Sequence, residues 1–407
     1  EICACLVGSE MCIRDRANLL LEKHTFKELL ADVEQRNLQN NIVGLEASRL
    51  FARSEINMGV DAFRDSLYAM LKRNTFLNIK FENMLDTLGE MSRTDLYSYL
   101  KEWEQLTPLP FYSIGEPELT KVVNKGGEEF FVLKVLVSNN SDYDGIIQMN
   151  VLQNGWWYQP MEDPRARKKV EIAAHTSKEF VSVWEEQIRD VEINTMVSGN
   201  LPYMIRQSIG NVKQERNKIV KDTIYTLPES SLEMPGEVIV DNEDSTLFVL
   251  STPAVVGLLP KWLDKVEDTS FKYSGISWWR APLQWTATTN AKYYGKYIRS
   301  AYVIKSGDGS QTATWKIPVP EAGQYELYYH VFKDDELRWN DRLQGEYHFR
   351  VAYDSEMEDA YINLRKANEG WEQLGTYYFS ADTVRVMLTD ECKLRSVTAD
   401  AVKIVKR

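Results

Sequence analysis

The chain has 407 residues, of which 43% are hydrophobic, 27% charged and 11% aromatic, with a formal net charge of −12. Its length allows two to four domains at roughly 100–200 residues each, and its acidic balance, without a long run of Lys or Arg, excludes nucleic acid as a partner, because phosphate backbones need a basic footprint. The longest apolar stretch, TLFVLSTPAVVGLLPKWL (246–263), carries two Pro and a Gly and falls short of the ~20 apolar residues of a membrane span.

Residues 1–16 are expected to be an artefact of cloning. LVGSEMCIRD (6–15) is the string that one reading frame of a common sequencing adapter encodes, and Arg16 fits its next codon. On that reading the chain is the back end of something longer, and Cys392 is the only cysteine that belongs to it. One thiol makes neither an internal disulfide nor a Cys-based zinc site.

Residues 17–112 read as helices. VDAFRDSLYAMLKRN (60–74) puts Phe63, Leu67, Met70 and Leu71 on one stripe. SRTDLYSYLKEW (92–103) pairs Ser92 with Asp95 as a capping box and then aligns Leu96, Tyr99, Leu100 and Trp103. Pro108 and Pro110 end the block. Residues 113–200 change to a strand period. EEFFVLKVLVSN (128–139) and DGIIQMNVL (144–152) flank the turn-prone NNSDYDG as a hairpin, and KKVEIAA (168–174) and KEFVSVWEE (178–186) repeat the pattern around HTS, which predicts an Ig-like β-sandwich. Residues 201–236 read as a polar connector.

Residues 237–407 alternate most clearly. Ala313, Trp315 and Ile317 point one way, as do Tyr325, Leu327, Tyr329 and Val331, and YHFRVAY, DTVRVML and DAVKIV keep the same period. Short strands at this spacing predict a jelly-roll-type β-sandwich, with an insertion at about 245–292. The expected fold class is multidomain α+β, a helical region followed by two sandwiches.

Several constellations are candidates for chemistry. Asp241 and Asp244 end the first strand of the last block and Asp400 lies in its last strand; first and last strands neighbour one another in many jelly rolls, so these carboxylates are candidate ligands of a structural calcium ion, which takes roughly six to eight oxygens. The competing reading has Asp241 capping a turn and Asp400 accepting backbone N–H bonds. Trp278, Trp279, Trp285, Tyr293 and Tyr294 are candidate sugar-stacking rings, against the alternative that they are core. Trp278 and Trp279 are adjacent, and on a strand adjacent residues cannot both face the core. His330 and His348 fall on outward positions and are expected to face solvent. The acidic runs DSEMEDA (354–360) and KDDEL (333–337) read as solvated loops, since a general acid needs a dry pocket. SGDGS (306–310) reads as a hairpin turn.

The last block resembles the golvesin C-terminal domain, also called the xanthan lyase carbohydrate-binding-like domain. EVIVDNED (237–244), YYGKYIRSAYVIKSGDGSQTATWKIPVPEAGQYELYYHV (293–331), WEQLGTYYFSADTVRVML (371–388) and TADAVKIV (398–405) carry the resemblance, which implies a glycan- or surface-binding task. The helical block and VEINTMVSGNLPY (191–203) resemble the tail of the M1 (gluzincin) metallopeptidases. That family's zinc site needs H-E-x-x-H, and none of His24, His175, His330 and His348 forms such a pair, so any zinc belongs to a domain upstream. The reading is a non-catalytic part of a larger extracytoplasmic bacterial protein that binds polysaccharide or cell-envelope glycan. The alternatives are a structural portion of an M1-type peptidase and a purely structural adhesion or assembly module.

Overall fold

The structure, a computed structural model, describes residues 13–98, 105, 108–152, 163–210, 212–216, 220–230, 232, 236–251, 271–273, 275–276, 281–333 and 345–407. These fall into two compact units, Ile13–Leu232 and Glu233–Arg407. Both are built on β-sandwiches, and the first adds a helical layer. Trp278 and Trp279, half of the expected insertion and the KDDEL run beyond Lys333 lie outside the described residues, as do Tyr99, Leu100 and Trp103.

The first unit opens with α1 (Ile13–Lys23), α2 (Phe26–Ala31), α3 (Gln39–Met58), α4 (Val60–Arg73) and α5 (Phe81–Ser92). Its capping box is at Thr25 and Glu28, each side chain bonding the other's backbone N–H, where the sequence had suggested Ser92 and Asp95. Ser92 instead closes α5, and Asp95 alone accepts the N–H groups of Tyr97 and Ser98 at 3.1 and 3.2 Å. Gly59, at φ +83°, ends α3 and starts α4, a backbone geometry that suits glycine. Of the expected stripe, Phe63 and Met70 are buried and Leu67 packs beside them, but Leu71 is exposed. The break at residue 16 is not a structural boundary. Helix α1 starts at Ile13, and the buried Asp15 carboxylate accepts the backbone N–H of Tyr203 at 2.7 Å.

Two sheets follow. One pairs β1 (Tyr112–Ile114), β2 (Glu118–Val123), β3 (Glu129–Asn139), β6 (Thr176–Trp184), β9 (Val212–Arg216) and β10 (Thr223–Pro228). The other pairs β4 (Gly145–Leu152), β5 (Arg167–Ile172), β7 (Asp190–Asn194) and β8 (Met204–Ser208). Leu133, Val135 and Val137 from the first meet Ile147, Met149 and Val151 from the second in one core with Phe180 and Trp184. Gly145 opens β4 because a Cβ there would sit 1.8 Å from the Tyr112 hydroxyl and 2.7 Å from Pro110.

Helix α3 lies on the second sheet, with Ala52 and Ile56 against Ile146 and Met196, Arg53 3.3 Å from Glu171, and Lys169 paired with Glu55. The helices and the sandwich therefore share apolar and ionic contacts within one unit. Residues 201–236 are corrected from connector to sandwich, since they supply β8, β9 and β10. NNSDYDG and HTS are not hairpin turns either. Both carry the chain from one sheet to the other, because β3 and β6 belong to one and β4 and β5 to the other.

The second unit is the jelly-roll-type sandwich. One sheet runs β11 (Glu237–Val240), β22 (Val402–Lys406), β16 (Gly323–Val331), β19 (Gly370–Phe379). The other runs β12 (Phe248–Leu250), β15 (Thr312–Pro318), β20 (Thr383–Thr389), β17 (Glu346–Tyr353), β18 (Glu356–Asn363). A third, short sheet holds β13 (Thr286–Thr289), β14 (Ser300–Lys305) and β21 (Ser396–Ala399). First and last strands pair, Glu237 opposite Val405 and Val240 opposite Val402. Ala313, Trp315, Ile317, Tyr325, Leu327, Tyr329 and Val331 are all buried, as their alternation requires. Strands β12 and β13 occupy the two ends of the expected insertion and are integral to the sheets. SGDGS joins β14 to β15 across sheets, so it is no hairpin. The buried Asp390 carboxylate holds it, accepting the N–H groups of Gly309 and Gln311 at 2.8 and 3.2 Å.

Candidate functional site

Alternation on β16 that buries Tyr325, Leu327, Tyr329 and Val331 turns Glu326, Tyr328 and His330 to the opposite face of the sheet. Register then chooses their neighbours. His330 stands opposite Trp371 of β19, and Tyr328 opposite Lys403 of β22. The rings of His330 and Trp371 are 5.1 Å apart and edge-on, and Tyr294, from the loop between β13 and β14, lies 5.0 Å from Trp371 and 5.8 Å from His330. The Lys403 ammonium sits 4.8 Å from the Trp371 ring centre and 5.4 Å from that of Tyr328, and bonds Glu237 at 2.8 Å. Cation–π attraction at this range fixes both aromatic side chains. The result is a half-buried patch of rings edged by hydrogen-bonding groups.

A buried carboxylate stands behind this patch. Asp400, fully buried in the turn between β21 and β22, lies 2.8 Å from His330 Nδ1 and accepts the Tyr294 N–H at 3.2 and 3.1 Å through its two oxygens. Burial pushes the Asp400 carboxyl above the usual carboxylate range, with His330 the chief opposing influence. Asp241 is pushed well above that range too, first by burial and then by the negative charge of Asp400. The Asn242 amide fits its surroundings when its nitrogen donates to Asp241 Oδ1 at 2.8 Å and to the Ser300 carbonyl at 2.7 Å while its oxygen accepts the Ser300 hydroxyl.

Of the candidate calcium ligands, Asp241 and Asp400 lie close enough for the charge of one to act on the other, and Asp244 does not join them. Asp244 turns onto its own loop and accepts the Thr246 hydroxyl at 2.8 Å, and both Asp400 oxygens already have partners. Among the described residues no three His, Cys, Asp or Glu are arranged to hold a metal ion. Asp400 behaves as the competing reading foresaw, as an acceptor of a backbone N–H.

Of the aromatic candidates among the described residues, only Tyr294 reaches the patch. Tyr293 is buried, its ring 4.8 Å from that of Phe332, so it builds the interior and offers no ring to a ligand. Trp285 packs against the main core. Sequence reasoning missed Trp371, Tyr328 and Lys403. The available signal was an aromatic at an outward position of a strand whose inward positions were already filled. His330 and His348 do not face open solvent. His330 is enclosed by Asp400, Tyr294 and Trp371, while His348 stacks on Tyr361 at 4.9 Å and lies 2.7 Å from Asp359 and 3.2 Å from Glu391.

One electrostatic consequence follows for Asp241. A carboxyl whose folded pKa is raised weakens the fold above that pKa, and the penalty fades as pH falls through it towards the unfolded value. Asp241→Asn keeps an oxygen to accept the Asn242 amide and removes the charge. We expect it to stabilise the protein near neutral pH and to lose that advantage on acidification, as compared by denaturant midpoints across pH. A variant destabilised at neutral pH would show that the charge itself is needed.

Fold and patch together define a two-unit β-sandwich protein with an aromatic, hydrogen-bonding surface on its second unit. Residues 279–406 match the family model of the golvesin C-terminal domain. Among solved structures the chain is similar to a Paenibacillus xanthan lyase, with 16% identity over 74% of this chain and 27% of that one and a TM-score of 0.30. It is similar also to a Podospora anserina GH26-CBM35 β-(1,4)-mannanase (13% identity, 43% and 28%, TM-score 0.22) and to a Bacteroides uniformis β-glucuronidase (12% identity, 78% and 32%, TM-score 0.21). The chain thus spans between 27% and 32% of the length of these structures. No curated protein matches the chain by sequence.

Proposed function

We propose that the second unit is a non-catalytic carbohydrate-holding module of a larger extracytoplasmic protein, and that the Trp371 patch is its binding surface. The observation that carries the reading is the convergence of Trp371, Tyr294 and Tyr328 with His330 and Lys403 on one sheet face. Sugar rings stack their C–H faces on flat aromatic groups, while their hydroxyls need donors and acceptors at the margin, and a site of this kind joins apolar rings with a few placed polar groups. Lys403, bonded to Glu237 at 2.8 Å, supplies with it a polar margin of no net charge. The match of residues 279–406 to the golvesin C-terminal domain supports the assignment.

Affinity electrophoresis of the full chain through gels holding neutral or acidic polysaccharides tests it. The chain is expected to be retarded by at least one of these polysaccharides, and Trp371→Ala to weaken that retardation about tenfold, the equivalent of ~1.4 kcal/mol of ring contact. Its melting temperature should be close to that of the parent. Free migration through every gel, or retardation indifferent to Trp371, would overturn the reading.

A further inference from the structure

The turn that joins α4 to α5 in the first unit presents a different surface. Phe76 is fully exposed, at 103%, and Leu77 at 65% stands beside it. Tyr68 and Leu71 of α4 and Phe81 of α5 extend the same apolar exposure. Phe76 also adopts φ +64°, a left-handed conformation that is costly for a bulky side chain and is retained where the surroundings impose it. The surroundings here are a hydrogen-bonded turn. The Asn74 side chain returns to the Met70 carbonyl at 2.8 Å, the Thr75 hydroxyl to the Lys72 carbonyl at 2.8 Å, and the Leu77 N–H to the Asn74 carbonyl at 2.9 Å. The fold thus spends backbone strain to hold a phenyl ring out in water.

Charge around this tip indicates what would cover it. In a chain of net charge −12, the stretch LKRNTFLNIKF (71–81) carries Lys72, Arg73 and Lys80 and no carboxylate. All three cations are exposed. The nearest acids in sequence, Asp65 and Glu82, lie beyond its two ends. An exposed aromatic tip with exposed cations on both sides of it in the chain matches the boundary of an anionic bilayer, where apolar side chains enter the acyl region and basic groups stay with the headgroups.

We propose that the α4–α5 tip docks the first unit onto a membrane surface bearing anionic lipids, with Phe76 and Leu77 inserted and Lys72, Arg73 and Lys80 at the headgroups. The contact is peripheral, since no helix among the described residues is long and apolar enough to cross a membrane.

Vesicle co-sedimentation of the full chain provides the test, using phosphatidylcholine with and without phosphatidylglycerol. Binding is expected only with phosphatidylglycerol and should weaken with added salt. Phe76→Ser with Leu77→Ser should lower the apparent affinity about tenfold or more, and each of Lys72→Ser, Arg73→Ser and Lys80→Ser about fivefold. These side chains are exposed, so unchanged melting temperatures serve as the folding control. No binding to anionic vesicles, or binding unaffected by the Phe76/Leu77 pair, would overturn the proposal. So would a concentration-dependent dimer abolished by the same pair, which would show a second copy covering the tip.

Discussion

Replacing Trp315 with Ala is expected to cost the second unit about 3–5 kcal/mol of stability. Trp315 is fully buried in β15, its ring 5.3 Å from Phe248 and 6.1 Å from Tyr329, in the core shared by the two large sheets. Truncation would leave a cavity walled by strands of both sheets, and strands held by their ladders close such a space only in part. The indole N–H also donates to the Asp400 carbonyl at 3.2 Å, so the loss includes an acceptor left buried. Trp315→Phe should cost less, since it keeps a ring in the space while losing the N–H. Denaturant unfolding combined with amide exchange in β15 and β16 would report both effects. A loss for Trp315→Ala below about 1 kcal/mol would mean that the core refills, contrary to close packing.

Removing the His330 side chain should have a comparable effect for an electrostatic reason. Asp400 is entirely buried and His330 only 13% exposed, so His330→Ala leaves a buried carboxylate with the Tyr294 N–H as its hydrogen-bond donor among the described residues and the more distant charge of Arg299. Breaking a buried pair from one side costs ~3–5 kcal/mol, and the slight exposure of His330 places the expected loss near the lower end. The sign with pH is definite. The Asp400 carboxyl is already raised by burial and would rise further without the imidazole. Its penalty is therefore full above the folded pKa and relieved as pH falls through it towards the unfolded value of about 3.9. His330→Ala should accordingly recover stability on mild acidification. Adding Asp400→Asn should restore much of the loss at neutral pH, because a neutral amide still accepts the Tyr294 N–H. A single variant equally unstable at every pH would refute the account. The same substitution should loosen Tyr294 and weaken any ligand held at Trp371.

The period of the strands was legible because it depends on one variable, which side of a sheet is dry. Trp315, Tyr325 and Tyr329 could be assigned to the core from alternation alone. The pairing of β11 with β22 also followed from a general property of jelly rolls. Alternation does not report which strand lies alongside which. NNSDYDG, HTS and SGDGS all carry strong turn chemistry, yet each links two sheets, because a tight polar turn serves a crossover as readily as a hairpin. Residues 201–236 looked like a connector because β9 and β10 hold mostly exposed or half-buried side chains at the margin of a sheet, where patterning is weak. The patch was hidden for a related reason. Trp371, the Tyr328–His330 pair and Lys403 are distant in sequence and become neighbours only through the register of β19, β16 and β22. Tyr294 was accessible to composition and Trp371 was not, since the former sits in an aromatic-dense run and the latter stands alone. Strand order brought Asp241 and Asp400 near one another, but it carried no information on Asp244, whose side chain is taken by its own turn.

The pairing of Glu237 with Val405 bears on how such a unit can be joined to other chains. Its first and last strands run side by side, Glu237 next to Val405, so chain entering before Glu237 and chain leaving after Val405 would do so at the same border. A gene duplication or fusion can add, remove or repeat it without threading a second connection through the host. For the same reason, closing Arg407 onto Glu237 with a short linker and opening the chain at Gly309 would leave every ladder intact, a freedom that a sandwich with ends at opposite poles does not have.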